Sequence, residues 1–242
     1  MNPEVRSRWI AWSAQFEGRV AWMYLDQHKD KNGNLDPLVT TGVGNLIDAS
    51  PQADPWRPAL PLPWRLSGSP ATPDMIRAEW QKVKADKSLA TKGWQAAGRV
   101  TALRLSESAI DDLVLARLEA NDAIFARRIP TWSTWPYKAQ MVRHSIGWAC
   151  GPNEPYPKFE AAVAARAWAV AIEECYIPDK NNPGVVPRNA ADRALLRELQ
   201  AGIGATPTAA NSAVVGTPGG APTPAPRAGL LAAILRALGW RG

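Results

Sequence analysis

The hydrophobic period of the chain changes at residue 18, and that change limits the folds open to it. Before it, Val5, Trp9, Trp12 and Phe16 recur at the spacing of one helix face. Asn2 can cap that helix, Pro3 fits its first position, and Glu4 suits the positive end of its dipole. Gly18 is a stop signal. After it, Val20, Trp22 and Tyr24 alternate, and Val39, Thr40 and Thr41 are again β-prone. Turn formers crowd 28–37 between them. These features predict a first helix that ends at Gly18, followed by a hairpin or a three-stranded antiparallel sheet.

The rest of the chain reads as mostly helical. Residues 48–71 are rich in Pro and Trp and are expected to form a long irregular connection. Thr72-Pro73-Asp74 opens a helix with Ile76, Trp80 and Val83 on one face, and Ser106 opens a longer one with Ile110, Leu113, Leu118 and Phe125. Pro136 opens another helix, 158–176 form a single Ala-rich one, and Asn189 caps the last. The fold class is therefore α+β, mainly α. Of the 12 tryptophans, Trp9, Trp12 and Trp80 fall on apolar helical positions, so they are assigned to core. Cys150 and Cys175 lie in apolar segments and read as buried free thiols, without a disulfide framework.

Composition shifts near residue 202. A folded domain over 1–202 gives way to a flexible Ala/Pro/Gly/Thr-rich linker over 203–226, then to a basic amphipathic tail over 227–242. In the tail, Leu230, Leu231, Ile234 and Leu238 share one helix side opposite Arg236, which suits an anionic membrane surface or the groove of a virion or secretion partner.

The net charge of +6 favours polyanionic partners. Nucleic acid is not expected, because the Lys and Arg residues are scattered and no nucleic-acid motif is present. There is no phosphate loop, no Ser-His-Asp arrangement and no metal cluster, so no cofactor or metal is expected. Asp30, Asn32 and Asn34 around Gly33 read as a polar turn, not a calcium loop, since no closing Glu stands at the required spacing. The N-terminus lacks a signal pattern, and no stretch reaches the roughly 20 apolar residues that a membrane span needs. The expectation is a cytoplasmically made, soluble product.

Two acids frame the first strand. Glu17 lies at the end of the first helix in apolar surroundings, and both features raise a carboxyl pKa. Asp26 lies on a polar turn and should stay ionised. Two carboxyls held apart in pKa suit glycoside hydrolysis, in which one protonates the leaving oxygen and the other acts on water or sugar.

Glu17-Gly18, Tyr24, Asp26, then Thr40-x-Gly42-x-Gly44 resembles the phage-type lysozymes of glycoside hydrolase family 24. The nine-residue step from Glu17 to Asp26 matches the family motif. The helix from Pro136 to Gly151, the Ala-rich segment after it and Gly184-x-x-x-Arg188 are similar in pattern to the family's C-terminal half. The resemblance implies a lysozyme-like fold: a small N-terminal antiparallel sheet and a C-terminal helical lobe. It implies Glu17 as general acid, Asp26 as the residue that positions or activates water, and Thr40 as its helper. It also implies cleavage of the β-1,4 bond between N-acetylmuramic acid and N-acetylglucosamine in peptidoglycan, for host lysis or phage entry. Three departures stand out. An insert within 28–37 lengthens the path to Thr40, leaving Thr41 as a competitor. Asn45 replaces the family's histidine. Trp148-Ala149-Cys150 replaces its Phe-Asn pair. A non-catalytic virion component on the same scaffold is the alternative. His144, on an apolar helical run, reads as a core histidine.

Overall fold

The computed structural model describes residues 1–28, 32–180 and 183–204. The architecture is α+β and mainly helical, with a small antiparallel sheet near the N-terminus. Of the linker and tail expected over 203–242, residues 203 and 204 instead continue the last helix and the rest lie outside the described residues, as does Asp30 of the polar turn.

Helix α1 spans Pro3–Ser13, and the Asn2 side chain accepts the amide of Glu4 at 3.0 Å. It stops earlier than its apolar spacing suggests. Ala14 to Glu17 continue as tight turns, in which the amides of Phe16 and Glu17 both donate to Ser13 O (3.0 and 3.1 Å). The edge-on packing of Phe16 against Trp12, with centroids 5.4 Å apart, prolongs the apolar pattern after the helix has ended. Glu17 is therefore a turn residue beyond α1, and the helix dipole has little part in its chemistry.

Strand β1 (Val20–Leu25) pairs with β2 (Val39–Gly42), and β2 pairs with β3 (Asn45–Leu46). The register sets Tyr24 opposite Thr40 and Thr41 opposite Asn45. Met23 and Leu25 face the core, while Trp22 and Tyr24 take the other face. The connection over 48–71 is more ordered than its composition suggests. It holds a short hairpin, β4 (Arg65–Leu66) with β5 (Ser69–Pro70), and Arg65 also exchanges two 2.9 Å backbone hydrogen bonds with Arg104.

Helix α2 (Pro73–Ala85) is capped by Thr72, whose hydroxyl accepts the Met75 amide at 3.3 Å. Two short helices that the apolar pattern does not announce, α3 (Leu89–Lys92) and α4 (Trp94–Val100), then pack along β1. Gly98 makes that approach close: a Cβ there would lie 2.6 Å from the Trp22 ring. Helix α5 (Glu107–Arg128) is capped by Ser106, and α6 runs over Tyr137–Cys150.

The expected Ala-rich helix is two helices, α7 (Pro157–Ala164) and α8 (Trp168–Glu174). The break falls at Arg166, which adopts a φ of 56°. Helix α9 covers Val186–Gly204, so Asn189 lies inside it and is not its cap. Its amide side chain instead bonds both backbone groups of Ile177, at 2.9 and 2.8 Å.

Among the described residues, two apolar clusters fill the interior. One gathers Trp9, Met23, Ile47, Trp64, Trp80 and Leu113 around the sheet, and the other gathers Phe125, Trp132, Val142, Phe159, Trp168 and Leu196 among the later helices. Helix α5 contributes to both and joins the sheet side to the helical side. Trp12 is only half-buried, while Trp9 and Trp80 are core. His144 is fully buried among Trp9, Phe125 and Trp132, with Asp122 3.5 Å away. Burial pushes its pKa down against the pull of Asp122, as befits a structural residue. Cys175 is buried, but Cys150 at the end of α6 is exposed, contrary to its apolar context.

Candidate active site

The turn after α1, the β2–β3 turn, α5, the end of α6 and the start of α9 meet around a cleft of about 350 Å³. Glu17, Gly44, Arg117, Trp148 and Arg188 lie on its walls. Glu17 is 28% exposed and forms an ion pair with Nη2 of Arg188. The other end of that guanidinium, Nη1, donates to the Ser145 hydroxyl at 3.2 Å, and the whole lies over the Phe16 ring at 4.9 Å. Burial pushes the Glu17 pKa up, and the attraction of Arg188 and Arg117 only partly offsets it.

Arg117 was not anticipated as a site residue. Its guanidinium stacks on Trp148 at 4.1 Å and donates to the carbonyl oxygens of Gly44 (3.3 Å) and Trp148 (3.0 Å). It thereby ties the glycine turn to the end of α6. Burial pushes its pKa down to about 10, and nearby Arg188 adds to the fall while Glu17 opposes it. The turn itself needs its glycines. Gly42 and Gly44 take φ of 63° and 68°, and a Cβ on Gly42 would meet Asn45 Oδ1 at 2.8 Å. That same oxygen accepts the Val43 amide at 3.0 Å, so Asn45 holds the turn from inside.

Asp26 ends β1. One carboxylate oxygen accepts the amides of His28 and Leu38, both at 3.2 Å, and the other lies 3.3 Å from the Thr40 hydroxyl. The Thr40 hydroxyl is also 3.3 Å from Leu38 O, so its single hydrogen has two competing acceptors. Thr41 points elsewhere: it is fully buried and donates to Val20 O at 3.3 Å. Of the two threonines, Thr40 is therefore the one beside Asp26.

The described residues thus form two groups, Glu17 with its two arginines and Asp26 with Thr40. Among the described residues lining the cleft, Glu17 is present and Asp26 and Thr40 are not. Tyr24 links the groups, because its phenol lies in the fields of both acids. Burial, with Asp26 and Glu17 adding, pushes its pKa up to about 12, and Arg117 opposes. Tyr24, Trp148 and Arg188 stood in the sequence motifs but carried no assigned role.

A sequence signal for Arg117 did exist. Ile110, Leu113, Arg117, Asn121 and Ile124 share one helical face, and a charged residue in such a stripe marks a buried polar site. Among the described residues there is no group of three or more His, Cys, Asp or Glu side chains suited to a metal ion.

The arrangement defines a class: a mainly helical α+β protein with a carboxylic acid held between two arginines in a cleft, and a second carboxylate hydrogen-bonded to a threonine. The chain matches no protein-family model, no curated protein and no solved structure.

Proposed function

We propose that the protein is a peptidoglycan hydrolase of the lysozyme type. The observation that carries this reading is the contrast between two acids nine residues apart. Glu17 lies in a cleft that favours its proton, while Asp26 is bonded to two amides and faces Thr40. In this reading Glu17 donates a proton to the glycosidic oxygen of a muramic acid–glucosamine link. Asp26 takes a proton from the attacking water, and Thr40 orients that water. The ion pair with Arg188 must loosen as Glu17 protonates, which requires sugar in the cleft to draw the guanidinium away. The net charge of +6 helps retain an anionic cell wall. The protein would reach the wall through a membrane lesion, a virion or a secretion route, for host lysis or phage entry.

The test is hydrolysis of purified peptidoglycan, with release of reducing ends and the anomeric form of the product followed by NMR. The wild type should release them with inversion, and Glu17→Gln should not, while remaining folded. An inactive wild type between pH 5 and 8 overturns the reading. One observation favours the alternative, a non-catalytic virion component: the Arg188 ion pair works against protonation of Glu17. That protein would bind peptidoglycan without releasing reducing ends.

A further inference from the structure

One helical turn beyond Arg188, α9 carries Asp192. Residues at that spacing share a helix face, with their Cβ atoms about 5–6 Å apart. Asp192 is fully buried, and among the described residues neither of its carboxyl oxygens makes a hydrogen bond. A carboxyl group in that position is costly to hold ionised. Two groups lie near enough to favour its charged form, the Ser145 hydroxyl and Arg188. Burial outweighs both and pushes its pKa up to about 8, so the group keeps its proton at neutral pH.

Arg188 stands between two acids. Its Nη2 holds Glu17, and its Nη1 donates to the Ser145 hydroxyl at 3.2 Å. Ser145 is fully buried on α6 and is common to both sides, since it accepts from Arg188 and acts on Asp192. The other neighbours add little charge. From α8, Cys175 feels Asp192; burial, with Asp192 adding, pushes that thiol up to about 12, so it stays neutral. Arg193 and Glu173 act on the same thiol in opposite directions. Arg143 and His144, the sequence neighbours of Ser145, pair instead with Glu160 and Asp122. Arg117 acts on Glu17 and Arg188 from α5. Glu17, Asp192 and Arg188 are thus two acids with one cation between them, and such a set is neutral only while the acids keep one proton.

We propose that Asp192 is a positioning residue for Glu17: it competes with Glu17 for Arg188, and the two acids together retain one proton. The proposal rests on the reading of Glu17 as general acid. With Arg188 on Glu17, as in the structure, the proton belongs to Asp192. When sugar displaces the guanidinium, Asp192 is the anion to which it turns. Asp192 then releases its proton to solvent and Glu17 takes one from solvent, so the charge of the set does not change. The acid is armed by the arginine it gives up, and Asp192 is where that arginine goes.

The coupling is read by NMR on the full chain, with side-chain carboxyl carbons labelled and the two acids assigned from Glu17→Gln and Asp192→Asn. In the wild type the Glu17 resonance should titrate in two steps, the upper one coinciding with the step of Asp192. Asp192→Asn keeps the shape and removes the charge, and in it the upper Glu17 step should vanish. A single Glu17 step in the wild type overturns the proposal, whether or not the protein hydrolyses peptidoglycan. On purified peptidoglycan, the alkaline limb of the rate–pH profile should move to lower pH by about one unit or more in Asp192→Asn, while the rate near pH 5 stays within about twofold. A rate lowered by the same factor at every pH marks a merely structural residue and also overturns the proposal. An inactive wild type that still shows both Glu17 steps overturns the hydrolase reading and leaves the coupling standing.

Discussion

Replacing Glu17 with Gln should make the protein more stable at neutral pH while it abolishes hydrolysis. The folded-state pKa of Glu17 lies above its unfolded value, because desolvation outweighs the attraction of Arg188 and Arg117. A group of this kind adds stability that is fully present below its unfolded pKa, about 4.3, and is lost as pH rises through the folded value. At pH 4 the variant and the wild type should therefore unfold at the same urea concentration. At pH 7 to 8 the wild type holds a carboxylate at net cost, and Gln removes that cost. Single stabilising substitutions commonly yield about 0.5–2 kcal/mol. For a domain of about 200 residues, that is a rise in Tm of roughly 1–8 °C. Loss of a general acid should cut the hydrolysis rate by about 100-fold or more. Urea unfolding at pH 4, 6 and 8, beside the peptidoglycan assay, tests both halves. A variant less stable than wild type at pH 8, or a stability difference that does not change with pH, would refute the charge argument. The reason for an opposite outcome would be that Arg188, left without its partner, dominates.

Thr40→Val should slow hydrolysis by about tenfold or more, because it removes the hydroxyl beside Asp26. Thr41→Val should leave the rate alone and cost about 1 kcal/mol through its lost bond to Val20 O, as read from denaturant melts. Asp192→Asn should lose less stability than the wild type between pH 5 and 9. Burial pushes the Asp192 pKa up to about 8, and its ionisation destabilises the fold as pH rises through that value. Gly147→Ala should destabilise by about 1–3 kcal/mol despite the better helix propensity of Ala, since the added Cβ would meet the Phe125 ring at 2.7 Å. A thermal melt at or above that of wild type would count against the close α5–α6 contact.

The period change at residue 18 was enough to place a helix before a sheet, because local patterning dominates there, but it set Glu17 on the helix end and not on the turn beyond it. The caps at Asn2, Thr72 and Ser106 were legible for the same reason: each needs only its own side chain and an amide two or three residues on. What the pattern missed depends on how side chains pack, which the period does not report. Phe16 reads as helical because it packs on Trp12, yet the backbone has already turned. Residues 158–176 read as one helix because alanine has no preference against it, and the break at Arg166 comes from how α7 and α8 pack. Asn189 reads as a cap by type, but its amide is taken by Ile177 across the fold.

The cleft shows how one arginine can serve fold and chemistry together. Arg117 comes from the core-facing stripe of α5, where its charge is costly to bury. Its guanidinium meets that cost with the carbonyl groups of Gly44 and Trp148 and with the Trp148 ring. Those contacts fix the β2–β3 turn against α6, and so fix the wall opposite Glu17. The charge that does this structural work also acts on Glu17, where it lowers a pKa that burial raises. Arg188 acts in the same direction from α9. The acid therefore rests between two opposing influences that come from separate elements. A substrate that displaces water would strengthen both at once. The balance turns toward proton donation only if the sugar also draws Arg188 away, so in this reading the mobility of Arg188, more than the burial of Glu17, sets the readiness of the acid.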